Sequence, residues 1–416
     1  MEMRRCSPAA LLMMLATTAA PRHSAGAVLL APSMRTFGNA LKSFAVKGTH
    51  EQLLLNFSSP PAPGSSAPHV ITEQWFSLFG SAAHAFDPNT DARIRIYIDE
   101  EVVPSLDFQL FFAHTVGLQN CVNETCSDTR VPWASSEVQH MAHAGALKNR
   151  YRIPFTRTIR ITATLPHDGI IYYYCRGMTH LPVVVGDLQL PDAARLKLHK
   201  NWGVVVQPLE QLPLLPPRTN SSGLLYATIW SAESEFIGFM EGCVRATADD
   251  QLIFLSSGTE DYFESANFFN AGHPVDDAPG AFPWPNASMV ARNNLFTSAS
   301  AVSAPESGVG YLNGTNPKDY SMSAYKFHLS DPIVWWDSFT LTASNYDGGG
   351  EDPALGGAMG CRGAAEGTKP LGASSNQNSL LSSFCSSNAV LNVNVPFTPG
   401  VCEFPLKSRK LCVQNQ

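Results

Sequence analysis

The sequence predicts an all-β chain made of two tandem β-sandwiches, and three observations lead there. Helical periodicity is scarce, while short alternating or β-branched runs recur from Val70 to Ala343. One of them, Ile94 to Glu100, is echoed 150 residues later by Val244 to Asp250. A second echo sets Tyr151-Arg152 and the strand Thr158 to Thr162 against Tyr325-Lys326 and the strand Phe339 to Thr342. At 416 residues and 44% hydrophobic side chains, the chain can fill two cores of ordinary size.

From the N-terminus, Met3-Arg4-Arg5, an apolar run from Ala9 to Ala20 and small residues up to Gly26 have the layout of a secretory leader, assigned to residues 1–24. The first sandwich is expected over 34–206, with strands at Val70 to Phe79, Ala92 to Ile98, Thr158 to Thr164 and Ile170 to Cys175. Ile94, Ile96 and Ile98 share one face of a half-buried strand. The second sandwich is expected over 207–347, with the joint near the Pro-rich stretch Gln207 to Pro217 or slightly before it, and with strands at Leu224 to Trp230, on either side of Asp249-Asp250, and at Phe339 to Ala343. Asp99 occupies the turn that corresponds to Asp249, and a structural role is expected for it. After Asp347 the texture becomes Gly-rich and then Ser/Asn-rich, with Cys361, Cys385, Cys402 and Cys412, so 348–416 is expected to be an irregular, disulfide-held appendage.

Charge and cysteine usage narrow the function classes. Charged residues make up 15% of the chain and the net charge is −7 without a basic block, which argues against nucleic acid and anionic membranes as partners. No segment after the leader has the roughly eighteen consecutive apolar residues of a membrane span. Of nine cysteines, Cys6 leaves with the leader. The eight that remain suggest up to four disulfides in an oxidising compartment. Sequons begin at Asn56, Asn123, Asn220, Asn286 and Asn313. There is no G-x-S-x-G elbow, the Gly348 to Gly350 run lacks the residues of a phosphate loop, and His140 and His143 do not complete a zinc motif, so no metal or cofactor is expected.

The residues with the clearest chemical promise are Glu241 and Glu260. If Asp249-Asp250 is a two-residue turn pairing Ala248 with Gln251, Glu241 falls opposite Gly258 and Glu260 lies two residues diagonally beyond. Both carboxylates then share one sheet face. Diagonal neighbours stand roughly 7–8 Å apart at Cα, compatible with the carboxyl separation of about 5–5.5 Å in a retaining glycosidase.

Seven segments in order resemble those of glycoside hydrolase family 172: Arg35 to Ala40, Ile71 to Phe76, Arg95 to Asp99 with Pro104-Ser105, Tyr151 to Phe155, Phe239 to Gly242, Gly258 to Phe263, and Tyr325 to Leu329 with Asp331-Pro332. The resemblance covers about residues 34–347 and implies two tandem jelly rolls, a homotrimer or larger homo-oligomer, and retaining exo-hydrolysis of α-D-fructofuranosyl or α-D-arabinofuranosyl linkages without a metal. It implies Glu241 as general acid/base and Glu260 as nucleophile. Asp261, Tyr262, Trp75, Asn39 and His328 are candidates to bind the furanoside, by hydrogen bonds or by stacking. Phe37, Leu41, Cys243, the Glu264 to Asn267 continuation and Asn345-Tyr346 depart from the family pattern. The competing expectation is a non-catalytic carbohydrate-binding or structural double jelly roll, because one scaffold hosts unrelated functions.

Overall fold

The computed structural model describes residues 31, 33–59, 67–79, 92–110, 112–114, 133–141, 146–207, 210–234, 239–240, 242–264, 302–303, 305–313, 320–345 and 384–395. The leader assigned to 1–24 lies outside the described residues.

The chain forms two sandwiches of like topology. In the first, strands β1 (Arg35–Val46), β11 (Gly169–Thr179), β3 (His69–Phe79), β8 (Ala146–Asn149), β7 (Val138–Met141) and β6 (Trp133–Ala134) run in that spatial order, and β9 (Ile153–Phe155) also pairs with β3. A four-stranded sheet of β2 (Gln52–Ser58), β10 (Thr158–Thr164), β4 (Arg93–Ile98) and β5 (Leu106–Gln109) packs on it. The second sandwich repeats the order with β14 (Arg195–Val206), β24 (Phe384–Val395), β16 (Ser222–Ser234), β21 (Tyr320–Phe327), β20 (Ser307–Asn313) and β19 (Val302–Ser303), while β22 (Ile333–Trp335) pairs with β16. Its four-stranded partner is β15 (Gln211–Arg218), β23 (Phe339–Ser344), β17 (Val244–Ala248) and β18 (Gln251–Leu255). The hairpin β12 (Val184–Val185) to β13 (Leu188–Gln189) joins the two. In each sandwich the last strand inserts between the first and third strands of the larger sheet, so the protein is a double jelly roll.

Alternation accounts for these elements. In β4, Ile94, Ile96 and Ile98 are buried against Ile159 and Ile161 of β10, while Arg93 and Arg95 pair outward with Asp107 and Glu51. Leu212, Leu214, Leu341, Ala343 and Trp230 build the second core in the same way.

The repeat is most evident at one corner. Asp99 and Asp249 both take left-handed backbone conformations, φ 51° and 49°, at the ends of β4 and β17. Asp99 accepts hydrogen bonds from the backbone N–H groups of Thr156, Arg157 and Thr158, at 2.8, 2.7 and 3.3 Å. Asp249 accepts them from Trp336, Asp337 and Ser338, at 3.1, 2.8 and 3.1 Å. Each carboxylate therefore secures the start of the neighbouring strand, β10 or β23. The second sequence echo is displaced by one residue, because Ile159 faces Ile98 where Phe339 faces Ala248, so Thr158 corresponds to Ser338.

Three expectations are corrected. The first jelly roll does not extend to 206, because Arg195 to Val206 pairs along its length with β24 and belongs to the second. The segment 348–416 is not wholly an appendage, because Phe384–Val395 is a central strand hydrogen-bonded to both β14 and β16. Its Ser- and Asn-rich start hides a strand whose order comes from partners on both sides rather than from intrinsic propensity. The upper limit of four disulfides also falls, because Cys175 is a buried free thiol, although Cys243 is disulfide-bonded.

Burial pushes the Asp99 carboxyl up, but the N–H groups of Arg157 and Thr156 and the Arg195 guanidinium outweigh it and hold the pKa below 3.8. The stability this supplies is present above the unfolded-state value and is lost as pH falls through the lower folded value. Asp99→Ala should cost about 1.5–3 kcal/mol in urea unfolding at neutral pH. Asp99→Asn should flatten the acid limb of the stability curve; an unchanged limb would refute the assignment.

Candidate functional site

The hairpin β17–β18 carries the expected turn, with Ala248 paired to Gln251, but its register shifts between Ala246 and Thr247. Thr247 faces Leu252 while Ala246 faces Phe254, so β18 takes in one extra residue. The strands end at Val244 and Leu255, short of both candidate carboxylates. Glu241 lies outside the described residues. Glu260 is not a strand residue diagonal to it, as the hairpin reading required; it sits in α1, the single turn Thr259–Tyr262.

That turn is specified locally. Gly258 is its extended N-cap, and Asp261 reaches back to accept hydrogen bonds from the Gly258 N–H at 2.8 Å and the Ser257 N–H at 2.7 Å. Ser257 Oγ donates to the same carboxylate at 2.9 Å, so the group expected to bind sugar hydroxyls is engaged as a helix cap. The Glu260 side chain folds over Gly258, where a Cβ would stand 2.8 Å from Glu260 Oε2 and 3.2 Å from the Met240 carbonyl oxygen. A side chain at this position would displace the Glu260 carboxylate and crowd the Met240 carbonyl.

Tyr262 points inward rather than onto a surface for stacking. It is buried, its hydroxyl lies 2.9 Å from Thr228 Oγ1 and 3.2 Å from His328 Nε2, and its ring meets Phe254 and Phe263 edge-on. His328 is buried beside it, and burial together with the nearby Lys326 charge lowers its pKa to about 3. Burial also raises the pKa of Tyr262. His328 therefore stays neutral and Tyr262 keeps its proton, so neither exchanges a proton near neutral pH.

The remaining candidates lie in the other jelly roll. Asn39 donates from Nδ2 to the Leu54 carbonyl at 2.8 Å, and Trp75 stacks on Tyr174 with ring centroids 5.6 Å apart. Both stand on the first large sheet and are not brought together with Tyr262 and His328. The departures from the family pattern have structural uses as well. Phe37 stacks on Phe57 at 3.9 Å, Leu41 packs against the first core, and Asn345 donates to the Val206 carbonyl.

A cleft of about 320 Å³ does open beside Tyr262 and His328. Its rim carries Glu264, Glu306, Lys326 and Asp331, and its apolar wall includes Ile253 and Phe254. Lys326 Nζ lies 3.2 Å from Glu264 Oε1 while Ser307 Oγ donates to Glu264 Oε2 at 2.6 Å. The Ser307 hydrogen bond, opposed by burial and reinforced by Lys326, holds the Glu264 pKa down. Sequence reasoning missed Glu264, Glu306 and Lys326; the one available signal was the position of Glu264 directly after the hexapeptide. A wider cavity of about 650 Å³ lies where the jelly rolls meet, between Glu101 to Ser105 and Lys197, Leu198 and Arg218.

No family model matches the chain, and no curated protein matches it. Solved structures similar to it include viral ones. The major capsid protein of bacteriophage PM2 matches with a TM-score of 0.36 and 8% identity over 88% of this chain and 99% of that one. A chain from the atomic structure of Sulfolobus Turreted Icosahedral Virus matches at 0.34 and 8% identity, over 86% and 90%. The PBCV-1 virus capsid matches at 0.26 and 9%, over 88% and 97%. These neighbours are viral and include capsid proteins, not hydrolases. On that finding the expectation of an enzyme acting as a retaining glycoside hydrolase is corrected.

Because the folded pKa of His328 is depressed, its stability contribution is complete above the unfolded value of 6.5 and is lost as pH falls toward about 3. Thermal denaturation should show an acid-sensitive limb in that window, and His328→Gln should remove it. Tyr262→Phe should lower stability by about 1–2 kcal/mol through loss of its contacts to Thr228 and His328; no change in melting temperature would contradict this reading.

Proposed function

We propose that this chain is a non-catalytic, structural double jelly roll that assembles with copies of itself into a homotrimer or larger homo-oligomer. One observation carries the reading. The two jelly rolls present equivalent edge strands, β5 and β18, and among the described residues charged and backbone contacts from β14 cover the first. Lys200 of β14 reaches Gln109 of β5 at 3.2 Å and Asp107 at 3.9 Å, and the Leu198 N–H approaches the Ser105 carbonyl just before β5 at 3.4 Å. On β18, Leu252 and Ile253 are 51% and 45% exposed, and Trp336, whose N–H donates to Asp249, is 50% exposed. An apolar edge strand without lysine or proline to guard it is a surface that pairs with another chain.

Assembly uses the fold itself and needs none of the proton chemistry that Tyr262 and His328 lack. The hexapeptide resemblance is kept as a proposal of shared ancestry for the scaffold, without the hydrolysis. The disulfide at Cys243 and the exposed sequon residue Asn56 on β2 support an exported protein.

Light scattering coupled to gel filtration should give the mass of a defined multimer at micromolar concentration. A monomer at those concentrations would overturn the proposal. So would release of sugar from p-nitrophenyl α-D-furanosides that Glu260→Gln abolishes.

A further inference from the structure

The cavity of about 650 Å³ where the jelly rolls meet is lined by charges that do not cancel. Its size suits a small organic molecule, whose sites run from about 300 to 1,000 Å³. One wall is the turn after β4, Glu101 to Ser105. The other belongs to the second jelly roll, with Lys197 and Leu198 on β14 and Arg218 at the end of β15.

Glu101 and Lys197 neutralise each other. Lys197 Nζ donates to Glu101 Oε1 at 2.8 Å and to Ser105 Oγ at 2.7 Å, while Ser105 Oγ and the Ile98 N–H donate to Glu101 Oε2. Burial pushes the Glu101 carboxyl up, but Lys197, Ser105 and the Ile98 N–H outweigh it, so the group is ionised at neutral pH. The ammonium is committed to it.

Arg218 has no such match. Its Nε is buried without a hydrogen bond, and no carboxylate among the described residues pairs with its guanidinium. The group beside it is His199, whose pKa is lowered by burial and by the Arg218 charge, against a hydrogen bond with Asn201. The imidazole is therefore mainly neutral near neutral pH, and its Nε2 is a second buried nitrogen without a hydrogen-bond partner. A buried donor left without an acceptor costs free energy, more so on a charged group. An anion beside Arg218 removes that cost, and the planar guanidinium favours one with two oxygens in a plane. The cleft beside Tyr262 differs, since Lys326 there is matched by Glu264 and Glu306 accepts hydrogen bonds from the N–H and hydroxyl of Ser330.

We propose that this cavity binds a small amphipathic carboxylate, its carboxyl group on Arg218 and its short apolar chain along Val102, Val103, Pro104 and Leu198. The lining supplies both parts. Val102 and Val103 are exposed at the rim, with Pro104 and Leu198 completing an apolar side. Two cations, Lys197 and Arg218, against one carboxylate, Glu101, leave a single positive charge, which a monoanion matches and a dianionic phosphate exceeds. Because the walls come from different jelly rolls, the bound molecule bridges them. The site is independent of the assembly reading and is tested separately from it.

The test is isothermal titration calorimetry of the full-length protein with hexanoate, alongside acetate, hexanol and hexyl phosphate. Hexanoate should bind once per chain, about tenfold or more tighter than the other three. It should also raise the melting temperature, as a ligand of the folded state does. Arg218→Gln should weaken hexanoate binding by about tenfold or more, the loss expected for a hydrogen bond to a charged group. Val103→Asp, a change at an exposed position that leaves the fold in place, should weaken it too by setting a second carboxylate at the rim. Equal binding of hexanol or acetate, tighter binding of hexyl phosphate, or no saturable heat with millimolar hexanoate would each overturn the proposal. So would wild-type affinity in Val103→Asp, or in an Arg218→Gln protein that melts as the wild type does.

Discussion

Everything in this molecule depends on the insertion of the last strand of each domain between the first and the third. β11 lies between β1 and β3, and β24 between β14 and β16. Without them, the facing edges of β1 and β3, and of β14 and β16, would have no ladder partner, and buried backbone groups left unpaired are costly. The pairing is long: β24 is matched from Phe384 to Asn394 on one side and from Phe384 to Val395 on the other. Each sandwich is therefore closed by backbone hydrogen bonds between segments far apart in sequence, an arrangement of high contact order.

The corner carboxylates act on top of that closure. Once the strands are in place, the turn after β4 or β17 has to meet the start of β10 or β23, and three consecutive N–H groups there need acceptors. One aspartate supplies them in each domain. Because Asp99 also takes the Arg195 guanidinium, the same residue that fixes a turn within one jelly roll ties it to the next. Glu73 does related work on the outer face of the first large sheet, where burial would raise its pKa but Lys148, Arg176 and Tyr174 bring it down to about 2.

The hexapeptide shows how a motif can be read correctly as special and wrongly as to why. Gly258 lies under the folded Glu260 side chain, Asp261 caps Ser257 and Gly258, and the Tyr262 hydroxyl meets Thr228 and His328. Those are demands of packing and backbone satisfaction. The residues around the neighbouring cleft, Glu264, Lys326 and Glu306, come from α1's end, β21 and the approach to β20, and nothing local in the sequence marks them as neighbours.

The sequence by itself determined what depends on short-range pattern. Alternation in Ile94 to Ile98 and in Thr158 to Thr164 set the strands and their buried faces, the Asp99 and Asp249 echo marked a repeated turn, and together they gave an all-β double sandwich. Only the tertiary structure decided what depends on partners distant in the chain. The Ser- and Asn-rich start of β24 is a strand because β14 and β16 flank it, and Arg195 to Val206 belongs to the second domain because that is where its hydrogen bonds go. The register shift at Ala246 and Thr247 is invisible in a period-two count, the hairpin strands end at Val244 and Leu255, and Glu260 stands on a helical turn. A one-residue change in register reverses every side chain beyond it, so a period-two count from the turn does not carry past Ala246.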